Sequence, residues 1–219
     1  MDKIRVAPSI LSADILHLED EIHAIESAGA DWIHVDIMDG HFVPNLSYGH
    51  KIVTALRKAT RLPLDVHLMI SNPQSLIERF AKAGADNITV HCEVTTPVPQ
   101  LFDIVKSFGK TFGVSVKPET SLEEIDDYMD LIDVLLIMTV NPGFGGQEFI
   151  EDVVTKIALA KRLKEENNYH YIIEVDGGLN DQTVKTVVSN GATMIVAGSY
   201  IFKSGDYKKT IDSLRSQIR

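Results

Sequence analysis

The sequence holds a single cysteine, Cys92, in 219 residues. An internal disulfide is therefore excluded, and with it the small cross-linked secreted scaffold. Basic residues are also scarce: 21 Lys and Arg stand against 31 Asp and Glu, a formal net charge of −10. Nucleic acids and anionic membrane surfaces both call for a basic patch, so neither is an expected partner. Long apolar runs are missing as well. The longest, residues 134–138, falls far short of the ~20 residues that span a bilayer. The opening residues lack the charged-then-apolar pattern of a secretory signal, so a cytoplasmic location is expected. An anionic ligand would need positive potential made locally, by a metal ion or by helix N-termini.

What is present is ordinary globular composition, 44% hydrophobic and 24% charged. A single core of this length buries roughly 70% of the unfolded surface and needs no staples. One phrase recurs, "AGADWIHVD" at 28–36, "AGADNITVH" at 83–91 and "NGATMIVAG" at 190–198. Each reads as a helix closed by glycine with a strand directly after it. "DLIDVLLIMTV" at 130–140 falls near the missing midpoint, without its glycine. Strand-like runs lie at 6–11, 32–38, 64–69, 87–93, 112–116, 134–140, 171–176 and 194–198. Stretches with apolar residues every three or four positions separate them, including "SLEEIDDYMDLI", and one more follows the eighth run. Strict alternation predicts an all-parallel sheet. Eight strand–helix units in this length predict a closed (β/α)8 TIM barrel spanning residues 1–219 as one catalytic domain. The alternative, an open doubly wound sheet, usually carries a glycine-rich turn after its first strand, where "ILSADIL" has none.

Barrel sites lie at the C-terminal ends of the strands, and the polar residues fall late in the runs. Ser9 closes the first. His34, Asp36 and then Met38 share one face of the second; Asp65, His67 and Met69 share one face of the third. His91 and Glu93 end the fourth, Met138 the sixth, and Glu174 and Asp176 the seventh. An imidazole and a carboxylate buried two residues apart are costly unless paired. Imidazoles with carboxylates suit a divalent metal such as zinc, iron or manganese, and the residues do not choose among them. Periodicity does not rank His67 above His91. Asp65 and Glu174 lie deeper and read as structural; Asp39 reads as a turn cap. Met38, Met69 and Met138 point to the same end, either filling the core or forming a dry ceiling over a reactive intermediate. Glycines cluster in "GFGG", "GG" and "GS" after the sixth, seventh and eighth runs. Together they read as a phosphate cradle built from backbone N–H groups, since no Lys or Arg lies within them. "NPGFGGQE" is long enough to be a lid.

Six segments, "PSILSAD", "HVDIMDGHFVPN", "DVHLM", "MTVNPGFGGQ", "EVDGG" and "VAGS", resemble the ribulose-phosphate 3-epimerase family over nearly the whole chain. The resemblance implies a (β/α)8 barrel that interconverts D-ribulose 5-phosphate and D-xylulose 5-phosphate in the pentose phosphate pathway. It implies one divalent cation, zinc ahead of iron, manganese or cobalt, held by His34, Asp36, His67 and Asp176. It selects His67 over His91. The family's acid/base pair falls on Asp36 and Asp176, and its substrate contacts on Ser9 and His67. Its phosphate loops fall on Gly143, Phe144, Gly145 and Gly146, on Gly177 and Gly178, and on Gly198 and Ser199. A sugar-phosphate ligand and a homo-oligomer are expected. One departure is Lys117, where many bacterial members carry asparagine. Allulose-6-phosphate 3-epimerase shares much of the pattern, though "GFGGQ" and "EVDGGLN" look more like the pentose enzyme. Two further alternatives are a metal-dependent hydrolase, which needs no phosphate cradle, and a non-catalytic phosphate-binding barrel, which has no use for both Asp36 and Asp176.

Overall fold

The computed structural model describes residues 4–216. Eight parallel strands alternate with helices in a nearly closed barrel. In chain order they are β1 (Arg5–Pro8), α1 (Leu18–Ser27), β2 (Ile33–Met38), α2 (His50–Ala59), β3 (Leu64–Met69), α3 (Ile77–Ala83), β4 (Asn87–His91) and α4 (Val98–Ser107). Then come β5 (Thr111–Val116), β6 (Val134–Met138), α5 (Val154–Asn167), β7 (Ile172–Asp176), α6 (Thr183–Ser189), β8 (Met194–Ala197), α7 (Ser199–Phe202) and α8 (Tyr207–Ser216). The sheet runs β1-β8-β7-β6-β5-β4-β3-β2. Its ends meet where the Asp31 and Trp32 N–H groups donate to the Val6 carbonyl and Ser9 bridges His34.

All eight expected strands form. The expected α-helix between β5 and β6 does not: Leu122–Leu131 is 3-10, broken at Tyr128 with φ −142°. Its apolar residues Leu122, Ile125 and Met129 are buried all the same. Spacing of three and four serves either helix type, and consecutive Asp126 and Asp127 are weak α-formers.

Each strand has two buried faces, as an all-parallel barrel requires. Ile33, Val35 and Ile37 of β2 and Leu64, Val66 and Leu68 of β3 pack outward in the layer shared with the helices. The alternate residues His34, Asp36, Asp65 and His67 turn inward and are fully or nearly fully buried. The barrel interior is lopsided. Ala7, Met194 and Val196 form an apolar cluster on one side, and the polar groups of β2, β3, β4 and β7 fill the other.

The recurring phrase has a mechanical role at the barrel's lower rim. Asp31 accepts the Val6 N–H at 3.0 Å, Asp86 the Leu64 N–H at 2.9 Å, and Asp133 the Phe112 N–H at 2.7 Å. Thus the acid that precedes β2, β4 and β6 caps the odd strand before each, while β8 has Thr193 at that place. A cation holds each acid in turn: Arg215, Arg57 and Lys106 respectively. Gly84 must lack a side chain, because at φ +116° a Cβ would lie 2.6 Å from that same Arg57.

Candidate active site

Strand register sets the floor of the site. His34 pairs with Asp65, Asp36 with His67, and Met38 with Met69. Inward residues of β2 and β3 therefore lie level in three layers. Asp36 is the hub. Its Oδ2 accepts from Ser9 Oγ at 2.6 Å, while its Oδ1 lies 3.2 Å from both His34 Nε2 and His67 Nδ1. Behind His34, Nδ1 donates to Asp65 Oδ2 at 2.6 Å, and Asn87 Nδ2 donates to Asp65 Oδ1 at 2.7 Å.

These bonds decide what the site can hold. With its Nδ1 hydrogen committed to Asp65, neutral His34 turns a lone pair toward Asp36 Oδ1. Electron pairs facing each other across 3.2 Å call for a proton or a cation between them. Without a metal, a proton on His34 answers: burial disfavours the charged imidazole, but Asp36 and Asp65 outweigh it and raise its pKa well above the ordinary value. One ligand atom each from His34, Asp36, His67 and Asp176 lies within 4.8 Å of the others. Two imidazoles and two carboxylates fit a borderline divalent ion, so the residues present match a metal centre.

The two acids are set apart by their surroundings. Burial would raise the Asp36 carboxyl, but His34 and His67 hold it well below the usual carboxylate range. Asp176 is pushed up to about 7, by burial first and then by the Asp36 charge. Below them, burial and then the Asp65 charge raise Glu174 well above its ordinary value. His91 stands outside the ligand cluster, its Nε2 2.9 Å behind His67 Nε2 and its Nδ1 2.9 Å from Glu93 Oε2. Burial pushes it down to about 4.

A cavity of about 270 Å³ opens above this floor. Asp36 and Asp176 reach it from one end. Met38, Met69 and Met138 line it and are buried, so core filling and cavity wall are the same role here. Gly143, Phe144, Gly145 and Gly146, then Gly177 and Gly178, then Gly198 and Ser199 line the other end. At Gly178, with φ +65°, a Cβ would lie 2.6 Å from the Phe149 backbone N, so only glycine brings the chain this close.

A model of the ribulose-phosphate 3-epimerase family matches residues 5–202. A protein of Bacillus subtilis named ribulose-phosphate 3-epimerase is 48% identical over 97% of this chain and 98% of its own. The chloroplastic ribulose-5-phosphate-3-epimerase of Arabidopsis thaliana is 46% identical over 99% of this chain and 78% of its own. The chain belongs to the ribulose-phosphate 3-epimerase family. It is an isomerase. Among solved structures, KGPDC from Streptococcus mutans in complex with D-R5P shares the fold, with a TM-score of 0.75 at 14% identity over 98% of this chain and 97% of that one. The tryptophan synthase α-subunit of Pyrococcus furiosus does too, with a TM-score of 0.70 at 16% identity over 99% of this chain and 97% of that one.

Within this family member, sequence reasoning passed over several residues at the site. Asn45 Nδ2 donates to the Gly143 carbonyl at 2.8 Å and ties the loop after β6 to the loop after β2. Gln147 Nε2 donates to the Asn141 and Phe144 carbonyls and braces that loop from within. Lys203, just past α7, is the one cationic side chain lining the cavity among the described residues. Both amides stand inside quoted motifs; Lys203 follows its glycine by five positions and carries no signal of its own. Asp39 does cap a turn, accepting from the His41 and Phe42 N–H groups at 2.8 Å.

Proposed function

We propose that this chain interconverts D-ribulose 5-phosphate and D-xylulose 5-phosphate by moving the proton at C3. The observation that carries the reading is the pair Asp36 and Asp176, on strands three steps apart around the ring, with oxygens within 4.8 Å at the mouth of a glycine-lined cavity. The names of the Bacillus and Arabidopsis relatives support it.

Inverting C3 means taking a proton from one face and returning one to the other. The C3 hydrogen is acidified by the neighbouring C2 ketone, and its loss leaves an enediolate. One base does not reach both faces. In one direction the ionised carboxylate of Asp36 takes the proton while protonated Asp176 gives its own to the opposite face; the reverse reaction exchanges their roles. Ser9 Oγ fixes the Asp36 carboxylate in position through the 2.6 Å hydrogen bond. His34, Asp36, His67 and Asp176 would hold the cation. Bound there, a divalent metal would supply a Lewis acid for the substrate, worth several kcal/mol. Met38, Met69 and Met138 keep water from the reacting carbon. The glycine backbones around 146, 177, 178 and 198 cradle the phosphate, and Lys203 adds the positive charge that a chain of net charge −10 otherwise lacks there. Phe144, 54% exposed at the tip of the braced loop, is placed to fold over bound substrate. A cytoplasmic setting fits the lone Cys92, whose thiol is pushed up by burial and then by the Glu93 charge.

The test is incubation of metal-analysed protein with D-ribulose 5-phosphate in D2O. Xylulose 5-phosphate carrying deuterium at C3 is expected. Release of inorganic phosphate, or no exchange at C3, rejects the reading.

A further inference from the structure

His91 and Glu93 have no part in the chemistry above, yet they form a buried polar chain that ends on a proposed metal ligand. The chain starts at the loop after β5. Glu93 Oε1 accepts the Lys117 N–H at 2.8 Å and the Thr120 hydroxyl at 2.6 Å. That fixes the carboxylate and leaves Oε2 for His91 Nδ1, 2.9 Å away. Lys156 secures the loop from outside, donating to the Lys117 and Pro118 carbonyls at 2.7 and 2.9 Å. Phe42 packs against the His91 ring, tilted by 43° with centroids 4.6 Å apart, and Lys117 Nζ sits 4.4 Å over the Phe42 ring. His91 is therefore fully buried with both ring nitrogens engaged.

A carboxylate accepts and does not donate, so the hydrogen between Glu93 and His91 belongs to His91 Nδ1. Neutral His91 then presents a lone pair at Nε2. The nitrogen facing it, His67 Nε2 at 2.9 Å, has to be the donor. His67 is left with its lone pair on Nδ1, the atom that faces Asp36 Oδ1 and the ligand cluster. We propose that Glu93 and His91 are positioning residues that lock His67 in the Nε2–H tautomer and so present Nδ1 to the metal. The inference rests on the metal reading above. It explains why an imidazole, rather than an apolar residue, fills the buried place behind His67: an ordinary carboxylate–histidine–metal unit is here extended by one further ring.

The test uses zinc-loaded protein with 15N-labelled histidine. In wild type, NMR is expected to show the His67 hydrogen on Nε2 and the metal-bound shift on Nδ1. Zinc affinity is then measured by chelator competition. His91→Leu fills the space without an acceptor and is expected to raise the zinc Kd by about 10–100-fold. His91→Gln offers an amide oxygen to His67 Nε2–H and is expected to recover most of that loss. Glu93→Ala is expected to weaken zinc in the same range, which a purely space-filling role for His91 would not produce. Zinc held through His67 Nε2 in wild type overturns the relay, and that measurement needs no variant to fold. Equal zinc affinity of His91→Leu and His91→Gln overturns it too. Wild-type protein that takes up no divalent cation overturns the metal reading beneath it, a distinct outcome.

Discussion

Exchanging Asp176 for asparagine separates what this acid does for the reaction from what it does to the fold. The replacement keeps the shape and removes the charge. Two carboxylates no more than 4.8 Å apart repel by about 3 kcal/mol or more at an effective dielectric constant near 20. That repulsion, added to burial, is of the size needed to push Asp176 up to about 7. An acid whose pKa is raised in the folded state weakens the fold as pH climbs. The loss begins above the unfolded value near 4 and is complete above the folded value near 7. Metal-free Asp176→Asn should escape that loss. Its stability gain is then about 4 kcal/mol at pH 8 and close to nothing at pH 4. For a chain of this length, each kcal/mol moves Tm by about 2–4 °C, so Tm should rise by roughly 8–16 °C at pH 8.

The same variant should lose catalysis. A general acid/base group contributes about 10²–10⁴ in rate, and in the proposed mechanism Asp176 also serves one whole face of the substrate. Turnover should fall by at least about a hundredfold with zinc supplied in excess. Hydrogen exchange at C3 should survive with one epimer only, the one whose proton Asp36 removes; Asp36→Asn should show the mirror result. Thermal melts of chelator-treated protein at pH 4 and pH 8, set beside deuterium exchange with each epimer, make the test. A Tm gain that is equal at both pH values, or exchange retained with both epimers, refutes the two-acid reasoning.

Gly178→Ala places a Cβ 2.6 Å from the Phe149 N at φ +65°, so the loop must shift. KM for the sugar phosphate should rise at least about tenfold while zinc affinity stays put, because about 1–2 kcal/mol of strain falls on the phosphate end alone; an unchanged KM removes this loop from the cradle. Lys203→Met should raise KM by about 2–5-fold at low salt, with the difference fading as salt screens it; equal KM values at every ionic strength exclude the contact. Asp133→Ala strips the acceptor from the Phe112 N–H and the partner from Lys106. It should cost about 1–3 kcal/mol, seen as a Tm lower by roughly 3–10 °C with kcat unchanged, and an unaltered Tm denies the strand-capping role.

Which parts were legible in the sequence follows from what each signal depends on. Strand positions were readable because every strand buries both faces and is closed off by turns, which makes short apolar runs at regular intervals. The Asp in "AGAD" was visible as a repeat, but its role in capping the neighbouring strand requires knowing that β1 lies beside β2 and β3 beside β4. The 3-10 segment at Leu122–Leu131 carries the pattern of an α-helix because burial needs only the three-and-four spacing that both helices share. His67 and His91 are the sharpest case. Both end up inside the barrel on adjacent strands. The register pairs His67 with Thr89 and with Asp36, and pairs His91 with Ser115, so the sheet's stagger leaves His91 out of the layer of Asp36. Stagger is a property of the closed sheet, and no single strand's sequence encodes it.

The lopsided interior answers why polar groups are tolerated in a buried strand at all. On the β1 and β8 side, Ala7, Met194 and Val196 fill the barrel as an ordinary core would. On the β2, β3, β4 and β7 side, the two ionised acids are held across the sheet: Asp36 accepts from Ser9 and faces His34 and His67, and Asp65 has His34 and Asn87. Remove one member and a buried donor or acceptor is stranded, at about 1–3 kcal/mol or more for a charged group. The network is therefore fixed as a unit. Its orientation is set before any ligand arrives, because Asp65 aims His34 and His91 aims His67 at the same carboxylate oxygen. An interior of leucines would make a sturdier barrel, but it would have nothing to offer a cation and no acid to hand a proton to either face of a sugar carbon.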